Sequence, residues 1–510
     1  MTRYASITLL LTAITLLASC PATAAELYVD PAKGDDTNSG AADKPLKTLV
    51  NALDVAKPGD TILLATGDYP AVSITATYDK PVTIAAAKDA KPRMIGGVSI
   101  TRAGGIRLVG LTFTWTAATR PTKAMTPFLL ISGSKDVQVS GCEIFDDPKL
   151  SAWVGWACNI ESSQKVLIQD TKGHHFYFGF SAYQSKDVTF RNMDVGPWSH
   201  EDGFRVTECE GPVLVEGCHV SNTGPAGVKT GHADGLQVVA WAENLTIRNC
   251  HFHGIGQGIG AFGEGKNHRS KNWRIEGNLI YDTYAPHVCS VYSCDGVVIV
   301  NNTFPQNQPI LQNCTGGVVR NNICGIGDGA KKEGVDADYN LWVNGRTKGG
   351  EHDLVGVDPK FVNAPQRVLK GDSPKNAAET TKSRLSVRGG GLAVGDTVEV
   401  LNTDGSARDA VRRKVTKVEG NWIEIDPPLA NLPEWAGVII YKWPNDAKSL
   451  VPDYHLRPDS PAIDSADGSV KRGADRDRHE PTDIPSVPNT GGGDVKYLDR
   501  GAFEFVPAKP

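Results

Sequence analysis

The sequence predicts an all-β fold, a right-handed parallel β-helix with an N-terminal capping helix and a small antiparallel β module inserted near the C-terminus. Three observations predict it. A six-residue strand phrase recurs at starts Ile106, Val137, Val166, Val188, Val213, Leu245, Trp273, Val297 and Gly317, 20 to 32 residues apart. A second set of short strands precedes these copies, at Gly179–Tyr183, Gly203–Val206, Gly235–Val239, Gly258–Phe262 and Val288–Tyr292. The intervals leave no room for crossover helices, which excludes a barrel of alternating strands and helices, and the spacing does not suit a sandwich. A repeat of this length, one strand phrase per copy, is a solenoid whose coils bury their inner faces only by stacking.

Residues 1–25 read as an export signal: Arg3, the apolar run Ile7–Ala18, then Ala22-Thr23-Ala24 as a cleavage site. Leu17-Ala18-Ser19-Cys20 equally resembles a bacterial lipobox, with Cys20 as a lipid anchor. The expected location is therefore secreted, periplasmic or anchored to the outer membrane of a bacterium. The apolar run is shorter than the ~20 residues a span requires, so no transmembrane helix is expected. The net charge of −5 over 510 residues gives no reason to expect nucleic acid as a partner. Nine cysteines follow Cys20. Cys142, Cys218 and Cys250 fall at one repeat position, which reads as buried small apolar side chains, and no pair has zinc-finger spacing.

Residues 26–365 are assigned to the β-helix. Leu46, Leu49, Val50, Leu53 and Val55 approach helical spacing, and a helix there would cover the open first coil. Across the copies, positions 1, 3 and 6 are mostly apolar or small, position 4 is usually polar, and a bend falls near position 5. Asn278, Asn302 and Asn322 share position 6 and are expected to form an internal amide ladder. Residues 366–446 read as the antiparallel module, whose Trp422, Trp435 and Trp443 serve its core or bind carbohydrate. Residues 447–510 close the solenoid. A monomer is expected.

The opening, from Tyr28-Val-Asp-Pro to Pro58-Gly-Asp-Thr-Ile, and the closing Asp459-Ser-Pro-Ala-Ile-Asp464 and Asp499-Arg-Gly-Ala-Phe-Glu504 resemble secreted bacterial β-helix proteins of the pectin-lyase-like superfamily. That resemblance implies the fold. The superfamily spans lyases, hydrolases, epimerases and proteins without known activity, and the motifs of polygalacturonase-like hydrolases and mannuronan epimerases are missing here, so no catalytic residue is carried over.

The site is read from residues instead. His200-Glu201-Asp202-Gly203 and His232-Ala233-Asp234-Gly235 repeat one phrase 32 residues apart. One solenoid turn would set Asp202 beside Asp234, roughly 4.8 Å away on the next strand. Two carboxylates so close require a cation or a shared proton. Asp202 and Asp234 are thus expected to hold a divalent cation such as Ca2+, or to act as an acid/base pair. His200, His232 and Lys229 are candidates for moving a proton. Arg205, Lys266 and Arg269 would bind an anionic polymer, Gln237 and Gln257 would line the groove, and Trp198, Trp241 and Tyr183 would stack on sugar rings. The expected function is an extracellular lyase cleaving an acidic, uronate-containing polysaccharide by β-elimination. The alternatives are a glycoside hydrolase using the same aspartates and a non-catalytic glycan-binding or structural β-helix, in which stacked Asp-Gly pairs are turn ladders. His251 and His253 read as turn or groove residues.

Overall fold

The recurring phrase bends at its fifth residue because that residue is left-handed in every copy. Gly110, Gly141, Asp170, Asn192, Gly217, Asn249, Gly277, Asn301 and Asn321 all have φ between 49° and 68°. Only Gly, Asn and Asp adopt this conformation cheaply, and these three types alone fill the position. The structure, a computed structural model, describes residues 24–150, 152–222, 233–261, 268–283, 288–327, 334–345, 349–368, 380–387, 391–400, 409–431 and 440–507.

Three parallel sheets form the solenoid. The first has 13 strands, from Glu26–Val29 to Val335–Asp338; the second has 10, from Val72–Ile74 to Pro309–Gln312; the third has 13, from Gly67–Tyr69 to Leu354–Val355. The phrases stack in the expected register: Ile106 beside Val137, Val137 beside Val166, Val166 beside Val188, Val188 beside Val213 and Val213 beside Leu245. Their first and third residues fill the core, as in Ile106, Leu108, Val213 and Val215. The single described helix, Leu49–Val55, is N-capped by Thr48 and buries Leu49 and Ala52 against the first coil.

Position 6 is a column of buried groups passing hydrogen bonds from coil to coil. The Cys218 N–H reaches Cys250 Sγ at 3.4 Å, and the Cys250 N–H donates to Asn278 Oδ1 at 2.9 Å. Asn278, Asn302, Asn322 and Asn340 continue it, each Nδ2 donating to the next Oδ1 at 3.0 Å, and Asp353 Oδ1 ends it by accepting from the Asn340 N–H. Asn302→Ala is expected to orphan buried groups on both neighbours and to lower stability by about 2–5 kcal/mol, read as a lower denaturant midpoint. All nine described cysteines are buried and free.

A six-stranded antiparallel sheet runs from Gln366–Val368 to Ile440–Trp443 and has its own core of Leu385, Val398, Val400, Val415, Ile423, Ile425 and Ile440. Trp443 is buried and donates to Glu399, while Trp422 lies beneath the Arg384 guanidinium at 4.7 Å. Trp435 lies outside the described residues. The tail returns along the solenoid, where Gly501 bonds to Asn321 and Ala502 to Thr303. Among the described residues no helix is long and apolar enough to cross a membrane.

Candidate functional site

The second sheet places the two acidic phrases on consecutive strands. Phe204 pairs with Leu236 and Arg205 with Gln237, which sets Asp202 beside Asp234 at the entry to the sheet; the Gly203 N–H then donates to the Asp234 carbonyl at 3.0 Å. Gln257 follows Asp234 in the same register. On the preceding coils the same position holds Trp156 and Phe178, stacked at 4.6 Å. Glycine is required beside the aspartates: a Cβ on Gly235 would lie 2.6 Å from the Phe252 ring. The aspartates thus stand where the chain turns into the sheet, packed close to the core.

Arg205 ties the site together. Its Nε donates to Asp202 Oδ2 at 2.7 Å, its Nη2 donates to Glu201 Oε2 at 2.5 Å, and its guanidinium lies 4.5 Å over the Phe178 ring. The remaining oxygens are unpaired among the described residues. Asp202 Oδ1, both oxygens of Asp234 and Gln257 Oε1 are buried without a donor. Burial drives the carboxyl of Asp202 well above the usual range, against Arg205 and reinforced by Asp234, and burial raises that of Asp234 to about 7. Near neutral pH the pair therefore retains a proton unless a cation takes its place.

His200 stacks on Tyr177 at 4.7 Å, with its Nδ1 3.3 Å from Glu201 Oε1, and its side chain is 41% exposed. Glu201 therefore touches both the imidazole and the guanidinium. Glu201 lies inside the first phrase, but the second phrase carries Ala233 at that place, so the repeat does not single it out.

Two expectations are corrected. Asp202 and Asp234, expected to hold a divalent cation or to act as an acid/base pair, are only 1% and 0% exposed. A glycine-lined corner lets the backbone close around them, and the neighbouring side chains that reach solvent include His200, Glu201, Arg205 and Gln237. Trp198 was expected to meet sugar; it is fully buried against Phe176, and its indole N–H donates to the Glu201 carbonyl at 2.6 Å. Trp198 sits in the core cluster and so supports the phrase from inside. Trp198→Ala is expected to cost about 3–5 kcal/mol of stability, read by denaturant unfolding.

Three other candidates lie away from the pair. Tyr183 is exposed and pairs with Thr207, five residues along the strand, roughly 16 Å from Asp202. Trp241 packs on His268 at 4.0 Å near the far end of its strand. Arg269 is held by Asp295 through Nε and Nη2, at 2.9 and 2.7 Å. Lys229, His232 and Lys266 lie outside the described residues.

The third sheet was not foreseen, and it gathers His219, His251 and His253. Asp194 pairs with His219, His219 with His251, and Ser221 with His253.

Comparison with known proteins adds the following. The family described as "Right handed beta helix region" matches residues 96–268 and 159–326. The search of curated proteins finds no match. Among solved structures, the chain is similar to XylC in complex with xylose (10% identity, TM-score 0.48, covering 82% of this chain and 100% of that one). It is also similar to a pectate lyase (13%, 0.39, covering 94% and 96%). A third is a lacto-N-biosidase from Eubacterium ramulus (13%, 0.40, covering 65% and 68%). At identities this low the likeness transfers no residue roles. The family match falls on coils that build the three parallel sheets, and the fold it describes is the one seen here, a right-handed parallel β-helix.

Proposed function

We propose that this protein is an extracellular lyase acting on an acidic, uronate-containing polysaccharide. The observation that carries the reading is the cluster of buried acceptor oxygens, Asp202 Oδ1, both Asp234 oxygens and Gln257 Oε1, left without donors directly beside Arg205. Acceptors gathered without donors suit a hard cation, and Ca2+ takes carboxylate and amide oxygens. Asp202, Asp234 and Gln257 would hold it, and when bound it supplies positive charge against the uronate carboxylate.

The rest belongs to side chains that reach solvent. Arg205 carries a fixed charge at the surface, held by Asp202 and Glu201, and Gln237 flanks it. A uronate carboxylate docked there loses its negative charge, which acidifies the C5 proton. His200, steadied by Glu201 and Tyr177, accepts that proton; Lys229 and His232 are the alternative bases. The C5–H electron pair forms the C4–C5 double bond, the C4–O bond breaks, and the departing oxygen takes a proton from solvent. The hydrolase reading is weaker, because a general acid must reach the glycosidic oxygen and both aspartates are covered.

The test is incubation of the purified protein with pectate, alginate, chondroitin and neutral glycans, with and without chelator. The reading expects unsaturated, ultraviolet-absorbing products from one acidic polymer, lost on chelation and restored by Ca2+. Reducing ends without absorbance would establish a hydrolase, and affinity without turnover a binding protein.

A further inference from the structure

From the third sheet we infer a second metal site, a Zn2+ centre held by the imidazoles of His219, His251 and His253. The strands His219–Ser221 and His251–Ile255 lie side by side, with Val220 and Phe252 in the core. The alternate residues His219, His251 and His253 therefore share the outer face. One nitrogen from each ring lies within 4.8 Å of the others.

The details fit a metal better than a surface patch. His219 Nε2 and His253 Nε2 are 2.9 Å apart. Two imidazole nitrogens on a tetrahedral Zn2+, bound at about 2.05 Å, lie about 3.3 Å apart, so this pair is already near ligand spacing. The third nitrogen, within 4.8 Å of the other two, needs a shift of up to about 1.5 Å to reach the same spacing. Asp194 Oδ1 lies 3.0 Å from His219 Nδ1. A proton on Nδ1 shared with that carboxylate leaves Nε2 as a lone pair aimed at the cluster, the arrangement by which carboxylates orient metal-binding histidines. His251 Nε2 is buried and has no hydrogen-bond partner among the described residues.

A cavity of about 650 Å³ adjoins the cluster, with His251, Tyr281, Asp453, His455 and Arg476 in its wall. It lies between the third sheet and the returning tail, and leaves room for water or a small anion as a fourth ligand. The nearby charges do not repel a cation overall. Arg476 and His455, the latter raised to about 9 by Asp453 and Asp477, are positive; Asp194, Asp453 and Asp477 are negative. Three imidazoles without thiolate or carboxylate select Zn2+ over Ca2+ or Mg2+. The site is separate from the aspartate pair, which lies on the second sheet, and stands whether or not the chain is a lyase.

The test is calorimetric titration of the chelator-stripped full-length protein with ZnCl2 and with CaCl2, repeated on variants whose circular dichroism matches wild type. One Zn2+ per chain is expected to bind at about micromolar concentration or tighter, with a Co2+-substituted form showing tetrahedral visible absorption. His219→Ala/His253→Ala should weaken Zn2+ by at least about 100-fold, and Asp194→Asn by about 10-fold or more through the orienting bond. Asp234→Asn should leave Zn2+ unchanged. No stoichiometric Zn2+ in wild type, or the same affinity in the double histidine variant, would overturn the site.

Discussion

Asp234→Asn is expected to reduce formation of unsaturated product by about 100- to 1000-fold, the range found when one preorganised charge-stabilising group is removed. The substitution conserves volume at a buried position and gives Asp202 a neighbouring N–H donor in place of a carboxylate. Asp202 Oδ1 and the Asp234 oxygens have no donors in the described structure, so the new amide relieves a deficit. The variant should therefore fold at least as stably as wild type at pH 8 while losing Ca2+ affinity. Asp202→Asn should lose as much activity and fold less well, because Asp202 Oδ2 also holds Arg205 at 2.7 Å. Activity read on pectate, alginate and chondroitin, with denaturant midpoints beside it, separates the two outcomes. Full activity in both variants would remove the site from the reaction.

The second large effect is on stability against pH. Burial raises the Asp234 carboxyl from 3.8 to about 7 and also drives that of Asp202 well above its usual range. A carboxyl with a raised pKa binds its proton more tightly in the folded state. Its contribution is complete below the unfolded value, near 4, and is lost as pH rises through the folded one. For Asp234 the ceiling is about 4 kcal/mol, undiminished by screening because the group is fully buried. The cation-free protein should lose stability between about pH 4 and pH 8, and added Ca2+ should restore it at pH 8 but not at pH 5. Asp234→Asn should flatten the profile. Thermal unfolding at fixed ionic strength across this range measures all three, and a flat wild-type profile would show that the pair does not share a proton.

Much of this was legible because a solenoid writes its structure into the chain at one spacing. Val137 beside Val166 and Asp202 beside Asp234 follow from counting, and the left-handed bend at Asn249 or Gly277 follows from which residues tolerate it. The Asn278–Asn302–Asn322 ladder was readable for the same reason. What was not readable was depth. Alternation places Trp198 near the phrase but does not say that its ring turns inward on Phe176. Nor does it show that the corner closes over the aspartates. The third sheet escaped because most of its strands, such as Thr112–Phe113, Asp194–Val195 and His219–Ser221, are only two or three residues long and carry little periodic signal. His219 and His253 therefore came together unannounced. Glu201 was hidden by the comparison of the two phrases, which favours what they share over what one has alone.

The most direct test is a crystal structure of the protein grown with Ca2+ and an oligomer of its preferred uronate. It should show a cation bonded to Asp202, Asp234 and Gln257, with a sugar carboxylate against Arg205 and the C5 carbon facing His200. A dry aspartate pair, with the oligomer bound on another face of the solenoid, would contradict it.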